Sequence, residues 1–426
     1  MEQQTILAIG IFLIVYAFII TEKIHRTIVA MIGGVLMVVV GIVSQEKAIH
    51  HIDFNTLGLL IGMMIIVNIT AETGLFNYIA IKAAKMAKGK PVPILISLTL
   101  ITAIGSAFLD NVTTILLMIP ITFSITRQLN VKPLPYLITQ IIASNVGGTA
   151  TMIGDPPNIM IGSAVKELTF NAFIQNLAPI VIIILIVYIP LFILLFRKQL
   201  RTTSDRMEAL MVTDESILIR DRTLLVKCLV ILGLTMIGFF VHQTLHIESA
   251  TVALAGAFIL LLLAGEHKLE EALTKVEWTT IFFFVGLFVL VGGLIETGVI
   301  KSLAEKAIEL TGGNVTSTSM LILWLSAIAS AFIDNIPFVA TMIPMIQDMG
   351  NMGVSNLEPV WWSLALGACL GGNGTLIGAS ANLIAAGIAG KEGHPLKFMQ
   401  FMKYGFPLMI LSVVIASGYV YLRYLI

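Results

Sequence analysis

Three carboxylates stand alone in long apolar surroundings. Between Lys90 and Arg127 the only charged residue is Asp110, between Lys132 and Lys166 it is Asp155, and between Glu309 and Asp348 it is Asp334. An acid at membrane depth costs on the order of 2.5–3.5 kcal/mol to insert, so it marks a functional site by default. No Lys or Arg in the same segments can neutralise these three, so each must take a proton, bind a cation or cap a helix N-terminus. Neutral oxygen and amide groups accompany them: Asn111, Thr113, Thr149, Thr151 and Asn158 around the first two, and Asn335, Asn373, Thr375 and Asn382 around the third. Carboxylates with Asn and Thr oxygens suit a small cation, and Asp110, Asn111, Asp155 and Asn158 form the candidate sodium set. Pro156 and Pro157 end one helix and permit another to start. Gly147, Gly148, Gly154, Gly371, Gly372, Gly374 and Gly378 are read as places where the backbone bends and approaches a ligand. Bare backbone at that depth is tolerated only where it lines a cavity or is buried in protein.

The elements that must position these groups are membrane helices. Of 426 residues, 57% are hydrophobic and 12% charged, which excludes an ordinary soluble domain. Apolar runs near the ~20 residues that span a bilayer recur along the whole chain. The acidic flank Met1-Glu2-Gln3-Gln4 makes the first run a span rather than a signal peptide. Cys228 and Cys369 are too few for a disulfide framework or a metal motif. A formal net charge of zero indicates no nucleic-acid partner.

One long polar segment, residues 197–222, divides the chain into repeats 1–196 and 223–426 and reads as a linker. Adding 224 maps one repeat on the other. SAFLDNVTTILLMIP (106–120) and SAFIDNIPFVATMIP (330–344) share eight of fifteen positions, and GGTATMIGDPPN (147–158) and GGNGTLIGASAN (371–382) share six of twelve. Crossing helices start near Ile6, Thr27, Thr56, Leu134 and Leu177, then near Thr223, Ser249, Thr279, Pro359 and Met399. Hairpins are expected at about 91–127 and 315–349, and broken helices at about 134–165 and 359–390. Hairpin arms of about 15 residues fall short of the ~20 needed to cross, which favours re-entrant hairpins over full spans. Five crossings per repeat then invert one repeat relative to the other. With the linker in the cytoplasm and both termini outside, all of the 25 Lys and Arg except Lys47, Lys166, Lys301, Lys306 and Arg423 lie inside, as the positive-inside rule asks. The fold class is therefore all-α and polytopic, with two inverted repeats of five transmembrane helices, each carrying a hairpin and a broken helix.

Plainer readings compete at several positions. Paired glycines also serve close helix packing, single Thr hydroxyls bond back to their own helix, and Asp110, Asp155 and Asp334 can be helix caps. Glu72 and Glu296 read as helix-end structure, and His242 and His246 as surface residues without a metalloprotease motif. No GxxxxGK[ST] loop is present, so ATP does not drive the protein directly. An intramembrane aspartyl protease would also pair two acids, but Asp110 and Asp334 each precede Asn at a helix break, and no GxGD motif occurs. No catalytic residue is expected.

The hairpins bearing DN, followed by GGTATMIGDPPNIMIG, resemble the ion transporter superfamily, in particular the branch of arsenite permeases and the melanosomal P protein. NhaD-type sodium/proton antiporters and citrate and dicarboxylate carriers are related branches. The resemblance implies a secondary transporter in the cell membrane that moves a small inorganic ion, with a proton or sodium ion as coupling ion, no other cofactor, and a homodimeric assembly. Arsenite-type efflux is the family default, and sodium/proton exchange or anion (chloride, dicarboxylate, citrate) transport are the alternatives. The lone Cys369 is too little thiol to chelate arsenic. Carboxylate carriers have Ser where LDNVT and IDNIP place Asp110 and Asp334, and an ionised Asp repels an anion unless a cation or proton intervenes. Repeat two has Ala379-Ser380-Ala381 in place of Asp155-Pro156-Pro157, so repeat one is expected to be the more cation-like half.

Overall fold

The computed structural model describes residues 2–21, 23–212 and 215–426. Repeat one contains α1 (Glu2–Thr21), α2 (Arg26–Val39), α3 (Gln45–His51), α4 (Phe54–Glu72), α5 (Leu75–Met86), α6 (Pro91–Leu109), α7 (Asn111–Leu129), α8 (Leu134–Gly148), α9 (Pro156–Ala164) and α10 (Phe170–Phe196). The linker carries α11 (Ser204–Val212). Repeat two contains α12 (Arg222–Val241), α13 (Ser249–Ala264), α14 (Leu269–Thr274), α15 (Trp278–Glu296), α16 (Val299–Thr311), α17 (Val315–Phe332), α18 (Asn335–Asn351), α19 (Glu358–Gly371), α20 (Ser380–Lys391) and α21 (Phe398–Val420). Among the described residues there is no strand, and nine helices are long and apolar enough to cross a membrane. Large apolar side chains such as Ile6, Leu13, Ile186, Leu234 and Leu262 are exposed on α1, α10, α12 and α13, which suits a lipid-facing belt. The expected starts hold closely, except that α10 begins at Phe170, where Thr169 accepts from Ala172 N and caps it.

Ion pairs at two ends show that the repeats are inverted. Glu72, closing α4, meets Lys275 just before α15 at 2.5 Å, while Glu296, closing α15, meets His51 just before α4 at 3.3 Å. Counterpart helices α4 and α15 therefore run in opposite directions. The four residues are related by the 224 offset, so the helix-end reading of Glu72 and Glu296 acquires a partner for each. Burial draws the Lys275 ammonium down, but Glu271 and Glu72 outweigh it and hold it above its ordinary value.

The arms of each hairpin are antiparallel. Gln140 of α8 accepts from Thr122 of α7 at 2.8 Å and donates to Thr102 of α6 at 3.3 Å, while Tyr136 reaches Pro91 O and Asn145 is reached by Asn111. Thus α6 runs with α8 and α7 against it. Two expectations are corrected here. The arms have 19, 19, 18 and 17 residues rather than about 15, so arm length does not separate a re-entrant hairpin from two full spans; the chain reverses at Asp110, with φ +75°, and at Asp334. The tip nevertheless stops level with the break in α8–α9, because Ser106 donates to Ser144 O at 2.6 Å and Thr151 to Ala107 O. The linker is also more than a connector. Thr202 bonds Leu129 O and Arg220 N bonds Thr73 O at 2.9 Å. A Cβ on Gly74 would lie 1.8 Å from Leu218 O, at a φ of +83° that only glycine adopts freely.

The seven glycines at the breaks do not bend the chain through left-handed backbone, since none has positive φ. Close packing also acts on them. A Cβ on Gly147 would sit 2.1 Å from Ala103 O, and one on Gly371 2.5 Å from Ala327 O, so α6–α8 and α17–α19 meet backbone to backbone. Gly148, Gly154, Gly372, Gly374 and Gly378 are equally crowded within the break loops and against the hairpins.

Candidate functional site

Four helix N-termini converge between the repeats: α7 and α18 at the hairpin tips, α9 and α20 after the breaks. Their exposed N–H groups give the centre a positive partial charge that favours anions and carboxylates. Every expected site residue is buried there. Asp110 caps α7, accepting from Thr113 N at 2.8 Å and Thr113 Oγ1 at 2.7 Å. Both of its oxygens are thus held within its own hairpin arm. Asp334 caps α18 through Ile336 N at 3.1 Å.

For Asp334 the structure supplies a cation from outside its own segment. Arg26, the first residue of α2, places Nη1 2.5 Å from Asp334 Oδ2 and 2.7 Å from Ser380 Oγ. Its guanidinium also lies 5.0 Å from the Phe283 ring centre, close enough for a cation–π contact. Asp155 has no such partner. Its Oδ1 accepts from Asn335 Nδ2 at 3.2 Å, and its Oδ2 is buried without a hydrogen bond.

Asn158 and Asn382 fold the break loops. Asn158 Nδ2 donates to Thr149 O and Thr151 O, and Asn382 Nδ2 to Gly372 O and Thr375 O, at 2.7–3.2 Å. Thr149 bonds back to Asn145 O at 2.7 Å, and Thr375 bonds Ala331 O at 2.5 Å. Asn145 joins the halves, donating to Asn373 Oδ1 at 3.0 Å and Asn382 Oδ1 at 2.9 Å while accepting from Asn111 Nδ2 at 3.2 Å. Its counterpart by offset is Cys369, whose thiol lies 3.5 Å from Asn158 Oδ1, the counterpart of the Asn382 contact. Asn145, Arg26 and Ser380 escaped the reading of the sequence. Asn145 carried a signal, an amide inside the apolar IIASNVGG, whereas Arg26 carried none.

Polar atoms left open at the centre are Asp155 Oδ2, Asn111 Oδ1 and Asn373 Nδ2, all buried and unpartnered. Two are acceptors and one a donor, a set able to hold a small cation or the hydroxyl and oxygen face of a small solute. The candidate sodium set is only partly assembled: Asp155 and Asn111 offer free oxygens, while those of Asp110 and Asn158 already accept hydrogen bonds. Among the described residues no group of three or more His, Cys, Asp or Glu could hold a metal ion. A cavity of about 230 Å³ opens beside α9 and α18 on the side away from the linker, lined by His51, Asp53, Met160, Ser163 and Gln347. On the linker side α7 and α20 are joined by the Arg127–Glu392 ion pair and a Phe123–His394 stack at 5.9 Å.

Residues 16–367 match the family model described as a citrate transporter. The chain belongs to the citrate transporter family. It is 43% identical over 429 residues to the uncharacterized transporter Rv2684 of Mycobacterium tuberculosis, covering 99% of both chains. It is also 36% identical over 507 residues to the mouse P protein, covering all of this chain and 61% of that one. In fold it resembles the YdaH transporter of Alcanivorax borkumensis, with a TM-score of 0.60 and 13% identity over 98% and 97% of the two chains. The protein is thus a multi-pass membrane transporter and not an enzyme. The family match contains both hairpins and the first break, and ends within α19 just before the second.

Proposed function

We propose that this transporter is secondary active and that Asp155 carries its coupling cation, a proton or a sodium ion. One observation carries the reading: Asp155 is fully buried with no cationic partner among the described residues, and its Oδ2 has no donor beyond the weak thiol of the neighbouring Cys369. A carboxylate so placed is stable only when something positive reaches it. Asn111 Oδ1 supplies a second open acceptor and Asn373 Nδ2 a donor for the cargo.

The cargo on this reading is a small oxygen-bearing ion, with arsenite-type efflux as the default; the family description favours citrate as the second reading, and sodium/proton exchange needs no cargo beyond the ions themselves. The hairpins enter and leave on one face each, the linker lies in the cytoplasm, both termini lie outside, and the assembly is a homodimer. The cavity beside α9 then opens outward. Proteoliposomes with imposed sodium or pH gradients, offered arsenite, citrate, chloride and labelled sodium in turn, test the reading. Gradient-driven uptake of one of them by the intact chain, lost in Asp155→Asn, is expected. Unchanged coupling in that variant refutes the role given to Asp155.

A further inference from the structure

Arg26 lies outside everything the transporter reading needs so far. It sits on a helix of the framework, yet its side chain crosses to the tip of the second hairpin and to the first residue of α20. The duplication shows that the fold does not require it: the offset places Ala250 at the same point of α13, where backbone N–H alone meets Asn55 Oδ1 at 2.9 Å. Only Nη1 is engaged. The other guanidinium N–H groups find no acceptor among the described residues, and the side chain is 20% exposed. Arginine presents its donors as a fork that fits a carboxylate or oxyanion two-pronged. Two helix N-termini, of α18 and α20, face the same spot and favour negative charge.

We propose that Arg26 is the residue that receives an anionic cargo, a carboxylate or inorganic oxyanion, and that Asp334 holds its place until the anion arrives. This rests on the transporter reading above. The anion takes the guanidinium in place of the Asp334 carboxylate. The groups that face this pair are Ser380 from α20, Tyr16 from α1, Glu277 ahead of α15, and Asp155 beyond Asn335. All four are neutral or acidic, so Arg26 is the one cation in the group.

Uptake of labelled citrate and of arsenite, measured separately in proteoliposomes at acid and alkaline pH, tests this with Arg26→Gln, Asp334→Asn and the double variant, each checked by thermal melting. Arg26→Gln should lose about 10- to 100-fold of anion uptake while retaining sodium- or proton-dependent stabilisation at Asp155. Asp334→Asn should still bind and take up the anion. The double variant removes both charges and so avoids a stranded ion; it should fold and still fail to take up the anion. Restored uptake in the double variant shows that the pair only braces the hairpin and overturns the proposal, as does unimpaired uptake by Arg26→Gln. If the intact chain takes up neither anion but exchanges sodium for protons, this proposal falls while the role of Asp155 stands. Whichever labelled compound is lost with Arg26 identifies the source of the anion.

Discussion

Asp155→Asn should make the cation-free protein more stable while destroying its coupling. Burying an ion carries an effective penalty of several kcal/mol. The Asn335 hydrogen bond offsets about 1.5–3 kcal/mol of it, and the α9 N-terminus up to ~2 kcal/mol. The only other donor to Asp155 is the weak Cys369 thiol, and among the described residues it has no cationic neighbour. The balance leaves the ionised side chain destabilising by about 1–3 kcal/mol, and an amide of the same shape removes that term while keeping Oδ1 for Asn335. Thermal melting of the purified full chain in detergent, in choline and in sodium buffers, measures it. The variant should melt higher than the intact chain in choline. If sodium is the coupling ion, it should raise the melting point of the intact chain alone, the stabilisation amounting to ~2.7 kcal/mol at a hundredfold excess over its dissociation constant. A lower melting point for the variant in choline would show that the carboxylate has a partner that stabilises it, and would refute the argument that Asp155 waits for a cation.

Asn145→Ala should leave Asn382 Oδ1, Asn373 Oδ1 and Asn111 Nδ2 without their shared partner, lowering stability by about 1–3 kcal/mol and abolishing uptake, as melting and proteoliposome assays will show. Gly147→Ala and Gly371→Ala should each force two helices apart, with a loss of about 1–3 kcal/mol or more, and the 2.1 Å approach at Gly147 against 2.5 Å at Gly371 ranks the first as worse. Yield of monodisperse protein reads that order. Lys275→Met should cost no more than ~1 kcal/mol because the pair is partly exposed. Since the ammonium is held above its ordinary value, its contribution is full below the ordinary lysine range and fades only as pH rises through the raised value. The melting difference from the intact chain should therefore be constant from mildly acidic to mildly alkaline pH.

The architecture was largely legible because it repeats. The 224 offset located both hairpins and both breaks, and the structure places α4 with α15, α6 with α17 and α8 with α19 at that spacing. Local polarity misled in two places. Asn171, Gln175 and Asn176 disguise the first turns of α10, and the apolar length of each hairpin arm says nothing about where the chain reverses, which is at Asp110 in one and at Asp334 in the other. The site was legible by residue type and illegible by partner. Asp110, Asp155 and Asp334 look alike in sequence, yet one is an intra-arm cap, one is unpaired and one is an ion pair with a residue 308 positions away. No local pattern reports a contact of that separation, and a search for neutralising cations confined to neighbouring segments passes over Arg26.

The duplication also separates what the fold needs from what the function needs. Contacts that hold helices together survive in both halves: Ser106 to Ser144 O and Ser330 to Ala368 O at 2.6 Å, Thr151 to Ala107 O and Thr375 to Ala331 O, Gly147 on Ala103 and Gly371 on Ala327. A packing requirement acts equally on two copies of one structure, so it keeps the same residues in both. Departures also fall at the centre: Asp155 against Ala379, Arg26 against Ala250, Asn145 against Cys369, Thr149 against Asn373. These are the positions whose side chains set charge and hydrogen-bond polarity between the repeats. A cargo and its coupling ion are not symmetric objects, and a two-fold pseudosymmetric cradle can distinguish them only by breaking its symmetry where they sit. On the proposals made above, the buried carboxylate of repeat one and the arginine that answers the acid of repeat two mark opposite ends of one site, the first suited to a cation and the second to an anion.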